Sequence, residues 1–198
     1  LKGGRDEVER RDAISNQFLR ALRPGKPNLV PLDLKDLVLE SLHFIRHEIA
    51  DRKIQLDFFW GENVPQINGD AAQLKQAFYN LVKNAFQSMP CGGHLAIRCS
   101  ADDSFVMLSI SDSGCGIAKE DRSKIFQPYF TTKSDGSGLG LMIVERIVRE
   151  HGGSLALDSE PGKGATFTIS LPRRTRIVRG LPAPEGDDES ARRKEDEA

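Results

Sequence analysis

The feature that most constrains this chain is a long, glycine-rich, irregular stretch set between a strand pattern and a helix pattern. It opens with Asp112-Ser113-Gly114-Cys115-Gly116 and closes with Gly136-Ser137-Gly138-Leu139-Gly140. Glycines at that density mean tight turns and close backbone approach. A connection longer than about 12–15 residues without structure of its own is usually functional, so 117–137 reads as a lid over a site. A strand end and a helix start must then face that lid. The helix after it, over 139–151, is strongly periodic and is stopped by Gly152-Gly153.

Two further helices are legible. Asp33 caps one over 33–52 whose Leu34, Leu37, Val38, Leu42, Ile45 and Ile49 face inward. Asp70 with Gln73 three residues on resembles a capping box and opens a helix over 70–89. Strands are expected over 54–60, 95–100, 105–111, 154–159 and 165–171, the last two as a hairpin around Pro161-Gly162-Lys163-Gly164. Helices gathered on one face of a mixed, mostly antiparallel sheet make the fold class an α/β sandwich.

The ends differ from this middle. Residues 7–22 carry a helical stripe (Val8, Ile14, Phe18, Leu22) that has nothing to bury against unless a second helix or chain supplies it. Arg23-Pro24-Gly25-Lys26-Pro27 breaks that helix. Beyond Pro172 the sequence loses apolar periodicity and reads as a disordered tail. The expected organisation is a helical segment over 1–23, a linker over 24–31, a domain over 32–172 and a tail over 173–198. A start at Leu1 rather than methionine reads as a fragment.

Composition excludes several classes. Of 198 residues 29% are charged, yet the formal net charge is −1, which gives no reason to expect nucleic acid or a membrane surface as a partner. No apolar run approaches the ~18 residues that span a bilayer. Three cysteines (Cys91, Cys99, Cys115) form neither a disulfide framework nor a CxxC metal pair, and so sparse a count suits a reducing cytoplasm.

Chemistry concentrates in three motifs. On the helix over 70–89, Gln76, Asn80 and Asn84 recur at i, i+4 and i+8, so their amides line one stripe; a plain polar edge would read the same way. Asp112 ends a strand, where a carboxylate can accept from an exocyclic amine while Gly114 and Gly116 let the backbone approach a ring. Gly136, Gly138 and Gly140 lead into a helix whose free N–H groups favour phosphate. None of these fits a P-loop, because no Gly-Lys-Ser/Thr follows at the required spacing.

Taken in order, the amide helix, Asp-x-Gly-x-Gly, Phe126-Gln127-Pro128-Tyr129-Phe130-Thr131-Thr132-Lys133, Gly-x-Gly-x-Gly and a hairpin Gly-x-Gly are specific. The chain resembles the catalytic domain of sensor histidine kinases, in the superfamily of DNA gyrase, a heat-shock chaperone and the MutL proteins. The matching blocks are an N box (76–89), G1 box (112–117), F box (125–133), G2 box (136–141) and G3 box (162–167), within about 31–172. The F and G2 boxes look most like the nitrogen-regulation and dicarboxylate-sensing branch. The resemblance implies a Bergerat-type sandwich preceded by the end of a dimerisation helix.

By the same resemblance, Asp112 takes the adenine amine of ATP, and Asn84 ligates Mg²⁺ with Asn80 beside it. Gly138 and Gly140 meet the phosphates at the helix start and Phe126 and Phe130 brace the lid, while Gly114, Gly116, Ile117, Thr132, Gly136, Leu139 and Thr166 are further nucleotide-binding positions. Lys133 and Lys83 neutralise phosphate, although a solvated lysine is as good a reading of either. Superfamily members that hydrolyse ATP resemble one another in placing a glutamate, the general base, one turn before the metal asparagine. Here that position is Asn80, which cannot take a proton, and this favours phosphoryl transfer over hydrolysis. The phosphoacceptor is not His47: His47-Glu48-Ile49 imitates the family's acceptor motif but continues Ala50-Asp51-Arg52 and lies inside the domain. The implied partners are a dimerisation segment bearing the acceptor histidine and a response-regulator receiver domain, all cytoplasmic. An ATPase clamp that dimerises on nucleotide, a decayed nucleotide-binding regulator and a serine/threonine kinase of the same superfamily are the alternatives.

Overall fold

A computed structural model describes residues 26–132 and 136–174. The helix expected over 7–22, Lys133 and the tail from 175 onward lie outside the described residues. Seven strands and three helices follow in the order β1 (Val30–Leu32), α1 (Leu34–Asp51), β2 (Ile54–Trp60), β3 (Ile67–Gly69), α2 (Ala71–Ser88), β4 (Gly93–Ala101), β5 (Phe105–Asp112), α3 (Gly140–Glu150), β6 (Ser154–Glu160) and β7 (Gly164–Pro172).

The main sheet has the order β2-β4-β5-β7-β6. Only β2 and β4 run parallel, joined through β3 and α2; the other neighbours are antiparallel. Strict alternation places Leu95, Ile97 and Cys99 of β4 and Val106, Leu108 and Ile110 of β5 inward. They meet the apolar faces of the three helices in one core, in which Phe78, Leu81, Val82 and Phe86 of α2 are almost fully buried. Each such side chain contributes about 1.5–3 kcal/mol of burial free energy. The opposite sheet face is mostly polar but also carries Phe59 and Phe105, with Arg98 stacked over Phe59 at 5.0 Å. Helices on one face of a mixed, mostly antiparallel sheet are the sandwich expected from the sequence.

Helix ends follow local chemistry. Asp33 caps α1 by accepting from Lys35 N at 2.8 Å. At the end of α3, Gly152 N donates to Arg149 O and Gly153 N to Val148 O, both at 2.9 Å, with Gly152 at φ +71°. That pair of bonds is a Schellman ending. Asp70 Oδ1 accepts from Ala72 N and Gln73 N at 3.0 and 3.1 Å. The reciprocal half of the expected capping box is replaced, since Gln73 Oε1 has no partner among the described residues. Asp70 N donates instead to Nε2 of His151, at 2.9 Å, and the other ring nitrogen lies 2.8 Å from Ile147 O. A histidine without catalytic context in the sequence is thus a buried clasp between the end of α3 and the start of α2.

The fold reaches further at both ends than the sequence boundaries suggested. Residues 30 and 31, read as linker, belong to β1, which pairs with β3 in a separate two-stranded ribbon. Both strands are too short for an alternation signal, and Pro31 is tolerated because such a ribbon leaves N–H positions unpaired. Arg173 N donates to Ser104 O and Arg174 N to Gln66 O, so the chain is still anchored past Pro172.

Candidate functional site

One cavity of about 560 Å³ opens between α2, the turn after β5, the lid and the start of α3. The face of α2 turned toward it carries Asn80, Lys83, Asn84, Gln87 and Ser88. Those positions are i, i+3, i+4, i+7 and i+8, one helical face. The amide stripe therefore enters the wall one turn later than expected: Gln76 is exposed and stands outside it, whereas Gln87 and Ser88 extend it. Gln87 and Ser88 were legible by continuing the same spacing past Asn84.

Asn80 is 9% exposed, and its Nδ2 has no hydrogen-bond partner among the described residues. An unmet buried polar group costs about 1–3 kcal/mol, and this one belongs to a residue that lines the cavity. Gly140, the first residue of α3, lies opposite: a Cβ there would sit 3.9 Å from Asn80 Cγ. Leu139 precedes the helix with no side-chain cap. The first turn of α3 consequently presents N–H groups beside Asn80, an anion-favouring arrangement.

The other end of the cavity is built on Asp112, 8% exposed at the end of β5. Its Oδ1 accepts from Ser88 Oγ at 2.9 Å and from Gly114 N at 2.8 Å. Glycines make the close packing here possible. Gly164, at φ +89°, approaches so near that a Cβ would lie 1.9 Å from Asp112 O. Gly116, at φ +69°, would put one 2.1 Å from Glu160 O. Ala165 and Phe167 of β7 line the same cavity, as do Ile117, Ile125 and Phe130. An apolar slot ending in a fixed carboxylate suits a flat ring with an amine on its edge.

The lid is stitched at its base. Tyr129 N donates to Gly138 O at 3.1 Å, and Gly138, at φ +66°, passes so close that a Cβ would meet Tyr129 C at 2.4 Å. Tyr129 itself takes φ +64°. Thr132, Gly136, Gly138 and Gly140 line the cavity as well.

Several sequence-derived assignments fall elsewhere. Thr166 lies on the opposite sheet face, its hydroxyl 2.7 Å from that of Ser111, because the alternation of β7 turns Ala165 and Phe167 inward. Phe126 packs against the core and Leu139 is fully buried; neither lines the cavity. Gly114 stands behind the wall, where a Cβ would strike Ser88 Oγ at 2.3 Å. Lys133 lies outside the described residues. His47 is exposed on α1. Of the thiols, Cys115 is exposed at the cavity edge, while burial, with the nearby Asp33 charge, pushes Cys99 up to about 12.

Among the described residues no three His, Cys, Asp or Glu side chains gather as a metal site. A divalent ion here would have to draw most of its ligands from a bound phosphate chain and water, with an amide oxygen such as that of Asn84. A neutral amide oxygen such as that of Asn84 fits a hard cation held in that way, whereas the unmet Nδ2 of Asn80 is a donor and suits a phosphate oxygen.

Comparison with known proteins agrees with this geometry. Residues 69–175, more than half of the chain, match the family model of histidine kinase-, DNA gyrase B-, and HSP90-like ATPases. The sensor histidine kinase ZraS of Escherichia coli is 38% identical over 166 residues, which cover 84% of this chain and 36% of that relative. Full-length ShkA in complex with AMPPNP superposes with a TM-score of 0.73 at 28% identity, over 81% of this chain and 35% of that one. The histidine kinase ThkA in complex with the response regulator TrrA superposes with a TM-score of 0.73 at 25% identity, over 85% and 49%. The chain thus spans about a third of the length of the curated relative it matches. With five ordered motifs meeting at one cavity and the family model covering them, the chain belongs to the histidine kinase-, DNA gyrase B-, and HSP90-like ATPase family.

Proposed function

We propose that this chain is the ATP-binding catalytic domain of a two-component sensor kinase. It binds Mg²⁺·ATP and hands the γ-phosphoryl group to a histidine on a separate dimerisation segment, from which a receiver-domain aspartate takes it. The observation that carries the reading is convergence: an amide face, a fixed carboxylate and an uncapped helix start share one cavity. Likeness to kinases crystallised with AMPPNP and with a response regulator supports it. Use of ATP places the domain's work in the cytoplasm.

In this reading Asp112 accepts a hydrogen bond from the adenine amine, with Ile117 and Gly116 bordering the ring. The N–H groups at the start of α3, behind Gly136, Gly138 and Gly140, receive the phosphates, with Lys83 and Lys133 as counter-charges and Thr132 at the lid. Mg²⁺, held by Asn84, would neutralise charge on the phosphate oxygens. Asn80 orients the same region without acting as a base. The acceptor imidazole nitrogen forms a bond to the γ-phosphorus as the bond to the β,γ-bridging oxygen breaks. ADP leaves, and the imidazole proton passes to a base on the acceptor segment. Such transfer rests mainly on positioning and charge neutralisation.

Radiolabelled ATP mixed with this chain and a kinase dimerisation segment bearing the acceptor histidine tests the proposal. Acid-labile, alkali-stable label on that segment is the expected result. Brisk phosphate release to water with no label transferred would instead favour the ATPase clamp.

A further inference from the structure

We propose that Ser88 is a specificity-determining positioning residue: its hydroxyl holds the Asp112 carboxylate in the orientation that selects a 6-aminopurine. The inference rests on the reading that Asp112 receives the base amine. It arises from a contact between the end of the N box and the start of the G1 box. Ser88 is the last residue of α2, eight positions after Asn80, and it lines the cavity beside Asp112.

Contacts on both partners fix the junction. Ser88 Oγ lies 2.9 Å from Asp112 Oδ1 and 2.7 Å from Ala85 O. A hydroxyl carries one proton, and a charge-assisted bond is roughly twice as strong as a neutral one. Asp112 Oδ1 and Ala85 O therefore compete for that proton, and the carboxylate is the stronger acceptor. Gly114 N donates to the same Oδ1 at 2.8 Å, so a side-chain donor from α2 and a backbone donor from the turn both hold that oxygen. Ser88 O also accepts from Cys115 N at 3.2 Å, which ties the turn that carries Gly114 to the end of α2. Packing leaves little slack, since a Cβ at Gly114 would meet Ser88 Cβ at 2.5 Å.

Removing the hydroxyl takes one of the donors away from Asp112 Oδ1 and so loosens the hold on the carboxylate. The loss is felt by ligands that engage Asp112 through an amine and not by those that lack one. A role confined to folding would weaken both alike. This difference separates a positioning residue from a structural one.

The experiment is calorimetric titration of the whole chain with ADP and with purine riboside 5′-diphosphate, which has no exocyclic amine. Wild type is expected to prefer ADP. In Ser88→Ala, ADP binding falls about three- to tenfold, the scale of one hydrogen bond, while binding of the analogue is unchanged. A thermal melt checks that the variant is folded; alanine is well suited to a helix end lacking other demands. Equal weakening of both ligands, or unaltered ADP binding, would overturn the role of Ser88 while leaving the assignment of Asp112 intact. Wild type binding both diphosphates equally would overturn the assignment of Asp112 and the proposal together.

Discussion

Asp112 and Asn80 divide the cavity between them, one at each end, and their side chains set what each end accepts. Replacing Asp112 by Asn removes a charged acceptor but keeps the shape. ATP affinity should fall at least about tenfold, the scale of a hydrogen bond to a charged group, in calorimetric titration. Asn80→Glu restores a proton acceptor at the turn before Asn84. Phosphate release without acceptor should rise, bounded by the roughly 10²–10⁴-fold that a general base contributes, in a colorimetric phosphate assay. Asp70 works on stability instead. Burial alone would push its carboxyl up, but the N–H groups of Gln73, Asn28 and Ala72 outweigh that and hold it below the ordinary carboxylate value. A depressed value means that the stabilisation is present above the unfolded carboxyl's value and is lost as pH falls through the folded one. Asp70→Ala should therefore cost about 1 kcal/mol near neutrality, as capping losses do. In denaturant melts across pH, the gap to wild type should close below about pH 4.

At the level of elements, most of the architecture was legible because each piece carries its own local signal. Asp33 and Asp70 cap helices where the spacing of Leu37, Leu42 and Leu74 demands them, and Gly152-Gly153 ends α3 through two bonds to its last turn. All five strands of the main sheet were legible, β2 from the alternation of Ile54, Leu56 and Phe58 and the other four from the turns that join them. β1 and β3 escaped because three residues hold no period, and their pairing is across 35 or more positions of sequence. Thr166 was misplaced although the needed signal was present: Ala165 and Phe167 are apolar, so the residue between them must face outward. The helical spacing puts Ser88 on the cavity face, but its contact with Asp112 is one that no periodicity encodes. The glycines of the hairpin and lid are equally non-local. Gly164→Ala should destabilise the fold by about 1–3 kcal/mol through its left-handed backbone and more through its collision with Asp112 O. A thermal melt with and without ADP checks whether ligand binding is lost along with stability.

Across the whole molecule, the two helices that flank the cavity are joined at the end remote from the lid. His151 binds the end of α3 to the backbone of Asp70, and Asp70 Oδ2 accepts from Asn28 N at 3.1 Å, where the chain enters the domain. Entry segment, α2 and α3 thus converge on one aspartate. Knots of this kind come undone all at once: freeing any strand of the tie leaves the others without their shared anchor. The amides of Asn28, Ala72 and Gln73 should accordingly exchange with deuterium as a group, and His151→Phe should accelerate all three, although they belong to segments more than forty residues apart. Whatever moves the incoming chain then reaches both walls of the cavity through a single residue.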